Sequence, residues 1–438
     1  MASADTIFAP ATARGRAAIS VVRVSGPEAD AALARLAGAL PAPRLAALRT
    51  LRDASGEPID RALVIRFEAG ASFTGENSFE IQCHGGCAVL AAVLDALAAS
   101  PGLRLAEPGE FTRRALENGR LDLLEAEGLA DLVNAETEGQ RRQALRAMRG
   151  ALGDQAAEWR RALIRARALV EAVMDFADED VPEDVGPEVL ALIDGAASAM
   201  RAALAGAAAA ERVRDGFEVA LIGAPNAGKS TLLNALARRE AAITSATAGT
   251  TRDVIEVQMD LRGLPVTLLD TAGLRETEDE IEALGVARAR DRADLADMRL
   301  WLQAPGSEGV APADGWLRPG DLHLASMADL GGAAPRGAVP ISARDGAGID
   351  ALIDAIAREL EGRAAGASAV VRARHRRALE AGVSRLDRAR AWLAGGEEAL
   401  DLAAEELRLA TASLESLLGR VDAERVLDDI FAEFCLGK

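Results

Sequence analysis

The sequence has no tyrosine, three cysteines and, among its 50 basic residues, only two lysines, Lys229 and Lys438. Three cysteines (Cys83, Cys87 and Cys435) cannot staple a chain of 438 residues, which argues against a disulfide scaffold. No run of about 18 uncharged apolar residues occurs, so no membrane span is expected. The N-terminus lacks a basic-then-apolar leader, and a cytoplasmic location is expected. Aromatic residues make up 3% of the chain while alanine is abundant, which favours long helices packed through small side chains. Positive charge is also short, with a net charge of −18, so nucleic acid is not expected to be held by general electrostatics. Two local basic clusters, at 141–149 and 372–377, read first as solvated helix faces, with phosphate contact as the alternative.

A chain of this length predicts two to four domains, and three textures follow one another. Residues 1–118 mix short apolar runs ("AAISVVRVSG", "RALVIRFEAG", "FEIQCHGG") with loops and a helix near 86–99, which predicts an α/β or α+β domain. Residues 119–213 carry apolar positions at helical spacing, interrupted by the acidic stretch "DEDVPEDVG". Over 214–363, runs such as "FEVALIG", "LPVTLLD", "RLWLQ", "DLHLA" and "AVPIS" alternate with helices, the pattern of a doubly wound parallel sheet. Helix resumes over 364–438. The economical architecture is a discontinuous helical domain with an α/β domain inserted into it. Its joints fall at the Ala/Gly-rich stretches near 203–210 and 364–368.

The strongest motif is "VALIGAPNAGKSTLLNAL" (219–236), which holds G-x-x-x-x-G-K-S from Gly223 to Ser230 between an apolar strand and an amphipathic helix. Glycines let backbone N–H groups face a phosphate, and the helix N-terminus adds positive potential. Lys229 supplies a point charge to the β- and γ-phosphates, and Ser230 a hydroxyl to Mg²⁺. The run Asn226, Ala227, Gly228, Lys229, Ser230 and Thr231 is the predicted phosphate cradle. A second apolar strand ends in Asp270, Thr271, Ala272 and Gly273, where the aspartate can hold the Mg²⁺ hydration shell and the glycine N–H can reach the γ-phosphate. Between them "TSATAGTTRD" has the look of a first switch, with Ser245, Thr250 and Thr251 as nucleotide-site residues and Thr251 as second Mg²⁺ hydroxyl. An N-K-x-D element is expected after a later strand. The chain has Ser326-Met327-Ala328-Asp329 there, followed by Ser342-Ala343-Arg344 where S-A-K or S-A-R is usual. Asp329 retains the acceptor that selects guanine over adenine, inside a weakened element.

With those motifs in view, the chain resembles the tRNA-modification GTPase family known as MnmE or TrmE, along its whole length. The resemblance rests on "GRAAISVVRVSGP", "FTGENSFEIQCHGG", "EPGEFTRRALENGRLDLLEAEGLADL", "GAPNAGKSTLLN", "AGTTRD", "DTAGLRETEDEIEALGVARAR" and the terminal "FCLGK". It implies a folate-binding N-terminal domain, a helical domain and an inserted P-loop GTPase domain. It further implies modification of wobble uridine in tRNA with an FAD-dependent, MnmG-like partner, and a homodimer that forms a heterotetramer with that partner. Carried over by position, Asn226, Ser245, Thr247 and Thr250 would bind K⁺. Glu282 would position the attacking water; without the resemblance it reads as a solvated acid at a helix start. Arg23, Glu80, Arg120 and Lys438 would contact 5-formyltetrahydrofolate or a related tetrahydrofolate. Arg120, Phe73 and Asn77 stand where lysine, tyrosine and aspartate are usual.

Three other features have competing readings. Cys83, His84 and Cys87 suggest zinc, but no fourth ligand is evident and a structural role is favoured. The tail "FCLGK" has the outline of a prenylation box, yet lysine is a poor final residue for one. The resemblance instead makes Cys435 a catalytic or substrate-positioning thiol. The leading reading is thus a GTP hydrolase acting with a partner on tRNA. A regulatory nucleotide switch without tRNA chemistry is the runner-up, and a folate protein carrying a passive insert comes third.

Overall fold

The computed structural model describes residues 5–13, 15–175, 186–239, 255–270, 292–306, 317–331, 334–396, 399–419 and 437. The chain forms two compact units, Met1–Ala130 with Glu415–Lys438, and Asp131–Leu414.

In the first unit, β1 (Thr6–Pro10), β2 (Ile19–Ser25), β3 (Ala47–Arg52), β4 (Pro58–Phe67), β5 (Ser78–His84) and β6 (Leu103–Leu105) form one sheet in the order β3-β4-β5-β2-β1-β6. Only the β1–β6 pair is parallel. Side chains alternate across the pleat, so Val22, Val24, Phe79, Ile81 and Cys83 share one buried face. Helix α1 (Ala29–Ala37) lays Ala29, Ala32, Leu33 and Leu36 on that face, a helical stripe, and α2 (Cys87–Ala98) adds Val93 and Leu97. Cys83 therefore belongs to the core, its thiol donating to Ser20 O at 3.5 Å, and burial pushes its pKa up. His84, the next residue, is exposed and places Nδ1 2.8 Å from Asp60 Oδ1. A separate small cluster joins Ile7, Ala9 and Ala106 to Phe111 of α3 (Glu110–Glu117).

After α4 (Leu123–Asn134), the second unit opens with α5 (Glu138–Met148), α6 (Ala151–Asp175), α7 (Gly186–Ala205) and α8 (Ala207–Asp215). A capping box between Thr137 and Gln140 starts α5. The α/β portion follows with β7 (Phe217–Gly223), α9 (Lys229–Arg239), β8 (Ile255–Leu261), β9 (Leu264–Asp270), β10 (Met298–Gln303), β11 (Leu322–Ala325), β12 (Val339–Pro340) and α10 (Ile349–Ala364). Helices α11 (Ala373–Leu393) and α12 (Leu400–Leu417) complete it. Helix α7 buries Val189, Ile193, Ala196, Ala197 and Met200 along one stripe. A Cβ on Gly382 of α11 would stand 2.6 Å from Met200 Cε, so that glycine allows the close approach of α7. Gly186–Asp215 has the length and hydropathy of a membrane span, the only such helix among the described residues. It is nonetheless tied to α11 by the Asp194–Arg390 and Arg201–Asp387 ion pairs.

The second sheet runs β12-β11-β10-β7-β9-β8, parallel except for β8. Strand β7 is buried on both faces: Val219 and Leu221 pack with α9 and α10, while Ala220 and Ile222 pack with Leu269 and Ala293. Two-sided burial makes such strands continuous apolar runs, which is why they stood out in the sequence. Strand β8 was not among the predicted strands. It pairs antiparallel with β9 through a turn in which Arg262 and Gly263 both have positive φ (55° and 89°). Its alternation of Val257, Met259 and Leu261 was the available signal. At the two joints, Ser368 N donates to Gly206 O at 3.3 Å, and a Cβ on Gly206 would meet Gly366 O at 2.3 Å. The chain thus enters and leaves the inserted α/β portion at adjacent points.

Candidate active site

The phosphate loop joins β7 to α9. Gly223 has φ +151°, and a Cβ there would lie 2.5 Å from Leu302 O, so the tight passage beside β10 requires glycine. Asn226 adopts the left-handed region (φ 59°) and Gly228 follows at φ +93°. Lys229 is 6% exposed, and its Nζ donates to Gly223 O at 2.9 Å and Ala224 O at 3.0 Å. Burial lowers its pKa from the ordinary lysine value, while the Asp270 carboxylate pulls it back up. The ammonium is thereby fixed over the loop before any phosphate engages it. Ser230 Oγ donates to Asp270 Oδ2 at 2.6 Å, bringing together the hydroxyl and the carboxylate singled out for Mg²⁺. Two hard oxygen donors, one in the first turn of α9 and one at the end of β9, fit that ion, which would offset the charge of bound phosphates when present.

Next to the loop a pocket of about 220 Å³ is lined by Gly228, Thr231, Met327, Asp329, Ala343 and Arg344 among others. Asp329 sits in a 3₁₀ turn (Ala328–Leu330), and its Oδ1 accepts from the fully buried Ser342 Oγ at 3.0 Å. The degenerate element therefore still places its carboxylate beside the phosphate loop. Thr231 was already expected at the nucleotide site; Met327, Leu330 and Leu302 were not expected as walls of this pocket, because their proximity depends on contacts between segments distant in the chain. Ser245, Thr247, Thr250, Thr251, Thr271, Ala272, Gly273 and Glu282 lie outside the described residues. That covers the residues expected to form the first switch, three of the four expected to bind K⁺ and the glutamate expected to position water.

A second constellation stands in the first unit. Arg23 Nε and Nη2 donate to Glu80 Oε1 at 2.9 and 2.8 Å, across the β2–β5 pair. The same guanidinium lies 5.7 Å from the Phe73 ring centroid and 5.8 Å from that of Phe111, within cation–π range. Its Nη1 donates to Gly437 O at 3.4 Å. A Cβ on Gly437 would meet Pro10 O at 2.3 Å, so the penultimate residue fits there only as glycine (φ +97°). Arg120 runs past Gly75, two residues from Phe73, with its Cγ 3.3 Å from where a Cβ on Gly75 would be. Arg23 and Glu80 are thus brought together; Cys435 and Lys438 lie outside the described residues. Phe111 and Gly437 were missed by the sequence reading. Neither carries a local signal, since each acts through a neighbour more than eighty positions away.

A parallel sheet whose first strand turns through a glycine loop onto a lysine-led helix, with a serine–aspartate pair and an aspartate-walled base pocket beside it, defines a P-loop GTPase. A family model described as the MnmE helical domain matches residues 123–435, and one described as GTP-binding protein TrmE N-terminus matches residues 6–120. The chain is 55% identical to the tRNA modification GTPase MnmE of Cereibacter sphaeroides over 435 residues, covering 99% of this chain and 100% of that one. Identity to the proteins of the same name from Roseobacter denitrificans and Ruegeria pomeroyi is 53% and 54%, at the same coverage. The chain belongs to the MnmE family of tRNA modification GTPases.

Proposed function

We propose that this chain hydrolyses GTP to drive modification of the wobble uridine, position 34, in a subset of tRNAs. An FAD-dependent, MnmG-like partner shares the reaction, which adds an aminomethyl-type group at C5 from a tetrahydrofolate one-carbon unit. The observation that carries the GTPase half is the Ser230–Asp270 pair beside the Lys229-capped loop. In this reading Lys229 and the α9 N-terminus bind the β- and γ-phosphates, and Ser230, Thr251 and Asp270 hold Mg²⁺ and its water. Asn226, Ser245, Thr247 and Thr250 hold K⁺, a fixed cation that neutralises charge developing between the β- and γ-phosphates. Glu282 orients the attacking water, and Asp329 accepts from the guanine edge.

The folate half rests on the Arg23–Glu80 pair and the two phenyl rings, which suit a flat heterocycle with a polar edge and an anionic tail. Arg120 and Lys438 add charge for that tail, and Cys435 serves the uridine chemistry. The working boundaries are 1–118 for the folate domain, 119–213 and 364–438 for the helical domain, and 214–363 for the GTPase domain. The protein works as a homodimer, and as a heterotetramer with its partner.

Complementation tests the tRNA role. In cells lacking this protein, wild type is expected to restore modified wobble uridine, whereas Arg23→Ala and Cys435→Ser are not. Wild-type modification with Cys435→Ser would remove the thiol from the mechanism. Unchanged modification in the deletion itself would favour the regulatory-switch reading.

A further inference from the structure

The base pocket separates two tasks by residue. Asp329 is held by Ser342 Oγ, which occupies Oδ1, so its carboxylate enters the pocket in a fixed orientation. Ser326, where asparagine is usual, is engaged elsewhere: its Oγ donates to Gln303 O at 3.2 Å and its N–H to the same carbonyl at 2.9 Å. Serine there ties the turn to β10. Met327 is the residue left to span the pocket. Its backbone is left-handed (φ 55°, ψ 39°) and the turn is pinned by Ala328 N donating to Ile341 O at 3.0 Å. Its Cε stands 3.8 Å from where a Cβ on Gly228 would be, contact distance from the phosphate loop itself. The side chain therefore bridges the base pocket and the loop, and it does so with an uncharged thioether that has no proton to donate. Arg344 is the only cationic side chain among the described residues lining the pocket.

We propose that Met327 sets how long the protein retains a nucleotide while leaving base identity to Asp329. This inference rests on the GTP reading above. A thioether packs against a base and ribose whatever the base is, because dispersion does not read hydrogen-bonding edges. A lysine on the same backbone would bring an ammonium to the loop carbonyls and to the negative charge of the phosphates, a charge-assisted contact that lengthens residence. Retention is thus tuned down in this chain at a position that leaves the discriminating carboxylate intact.

Release of a fluorescent N-methylanthraniloyl GDP from the full-length protein, with competition by GTP, ITP and ATP, tests this. Met327→Lys is expected to slow release about tenfold, and Met327→Ala to speed it about threefold. The GTP-to-ITP and GTP-to-ATP ratios should stay at wild-type values in both, while Asp329→Asn collapses them. Unchanged release in both Met327 variants, or a ratio that moves with either, overturns the proposal. Wild-type protein that retains no guanine nucleotide would instead overturn the GTP reading, and the inference with it.

Discussion

GTP hydrolysis by Lys229→Ala is expected to fall about 10²- to 10³-fold, with the chain still folded. Among the described residues the lysine ammonium is the one positive side chain held at the phosphate loop, fixed by Gly223 O and Ala224 O and shielded from solvent. A charge placed before the substrate arrives needs no reorganisation during reaction, which is why its loss acts on turnover. The loop keeps its shape through Gly223 and Gly228, and two carbonyls without a donor cost about 1 kcal/mol each. Steady-state phosphate release alongside circular dichroism checks both halves. Hydrolysis within about threefold of wild type would show that the loop does not bind the reacting phosphates.

The second large effect is on stability. Arg114 is 3% exposed and holds three acids at once: Nη2 donates to Asp5 Oδ1 at 3.0 Å and Glu110 Oε1 at 2.9 Å, and Nη1 lies 3.3 Å from both Glu76 oxygens. Arg104 completes the cluster from the other side of Glu110, at 2.6 and 2.9 Å. Removing the central cation takes one partner from the largely buried Glu76 and Glu110 carboxylates, while Arg104 still pairs with Glu110 and Asp5, a loss of about 3 kcal/mol. Arg114→Ala should therefore lower the unfolding temperature of the first unit by roughly 10 °C. The pH dependence has a definite sign. Burial pushes the Glu110 carboxyl up, but Arg104, the Glu107 N–H and Arg114 outweigh it and hold the pKa below its ordinary 4.5. A lowered folded pKa means full stabilisation above about pH 4.5 and progressive loss as pH falls through the folded value. The variant should lose part of that acid dependence. Calorimetry at pH 7 and pH 4 reads both, and an unchanged wild-type transition in Arg114→Ala would contradict the account.

The parts legible in the sequence were those whose geometry is encoded within a dozen residues. The loop from Gly223 to Ser230 carries its own turn, helix start and charge, and the inner strands of the second sheet were mostly apolar runs, with Arg299 of β10 a buried exception. Asp270 was legible because it ends such a strand. Strand β8 escaped because an edge strand has only alternation to mark it. The apolar walls of the base pocket (Leu302, Leu330 and Ile341), the Phe111 ring over Arg23 and the seat of Gly437 were hidden for a different reason: each joins residues distant in the chain, and single-sequence patterns hold no term for that contact. The basic clusters resolved in the same way. Arg372 and Arg376 are absorbed by Asp131 and Glu211, and Arg141 and Arg142 share Glu138. The first two pairs tie the start of α11 to α4 and α11 to α8, whereas the Glu138 pairs lie within the exposed face of α5, the solvated helix face expected first.

The most direct test of the central claim is nucleotide hydrolysis by the purified full-length chain in Mg²⁺, with GTP against ATP and K⁺ against Na⁺. The account predicts GTP turnover at least about a hundredfold above ATP, and faster in K⁺ than in Na⁺. Equal turnover of ATP, or no turnover of GTP in either salt, would contradict it.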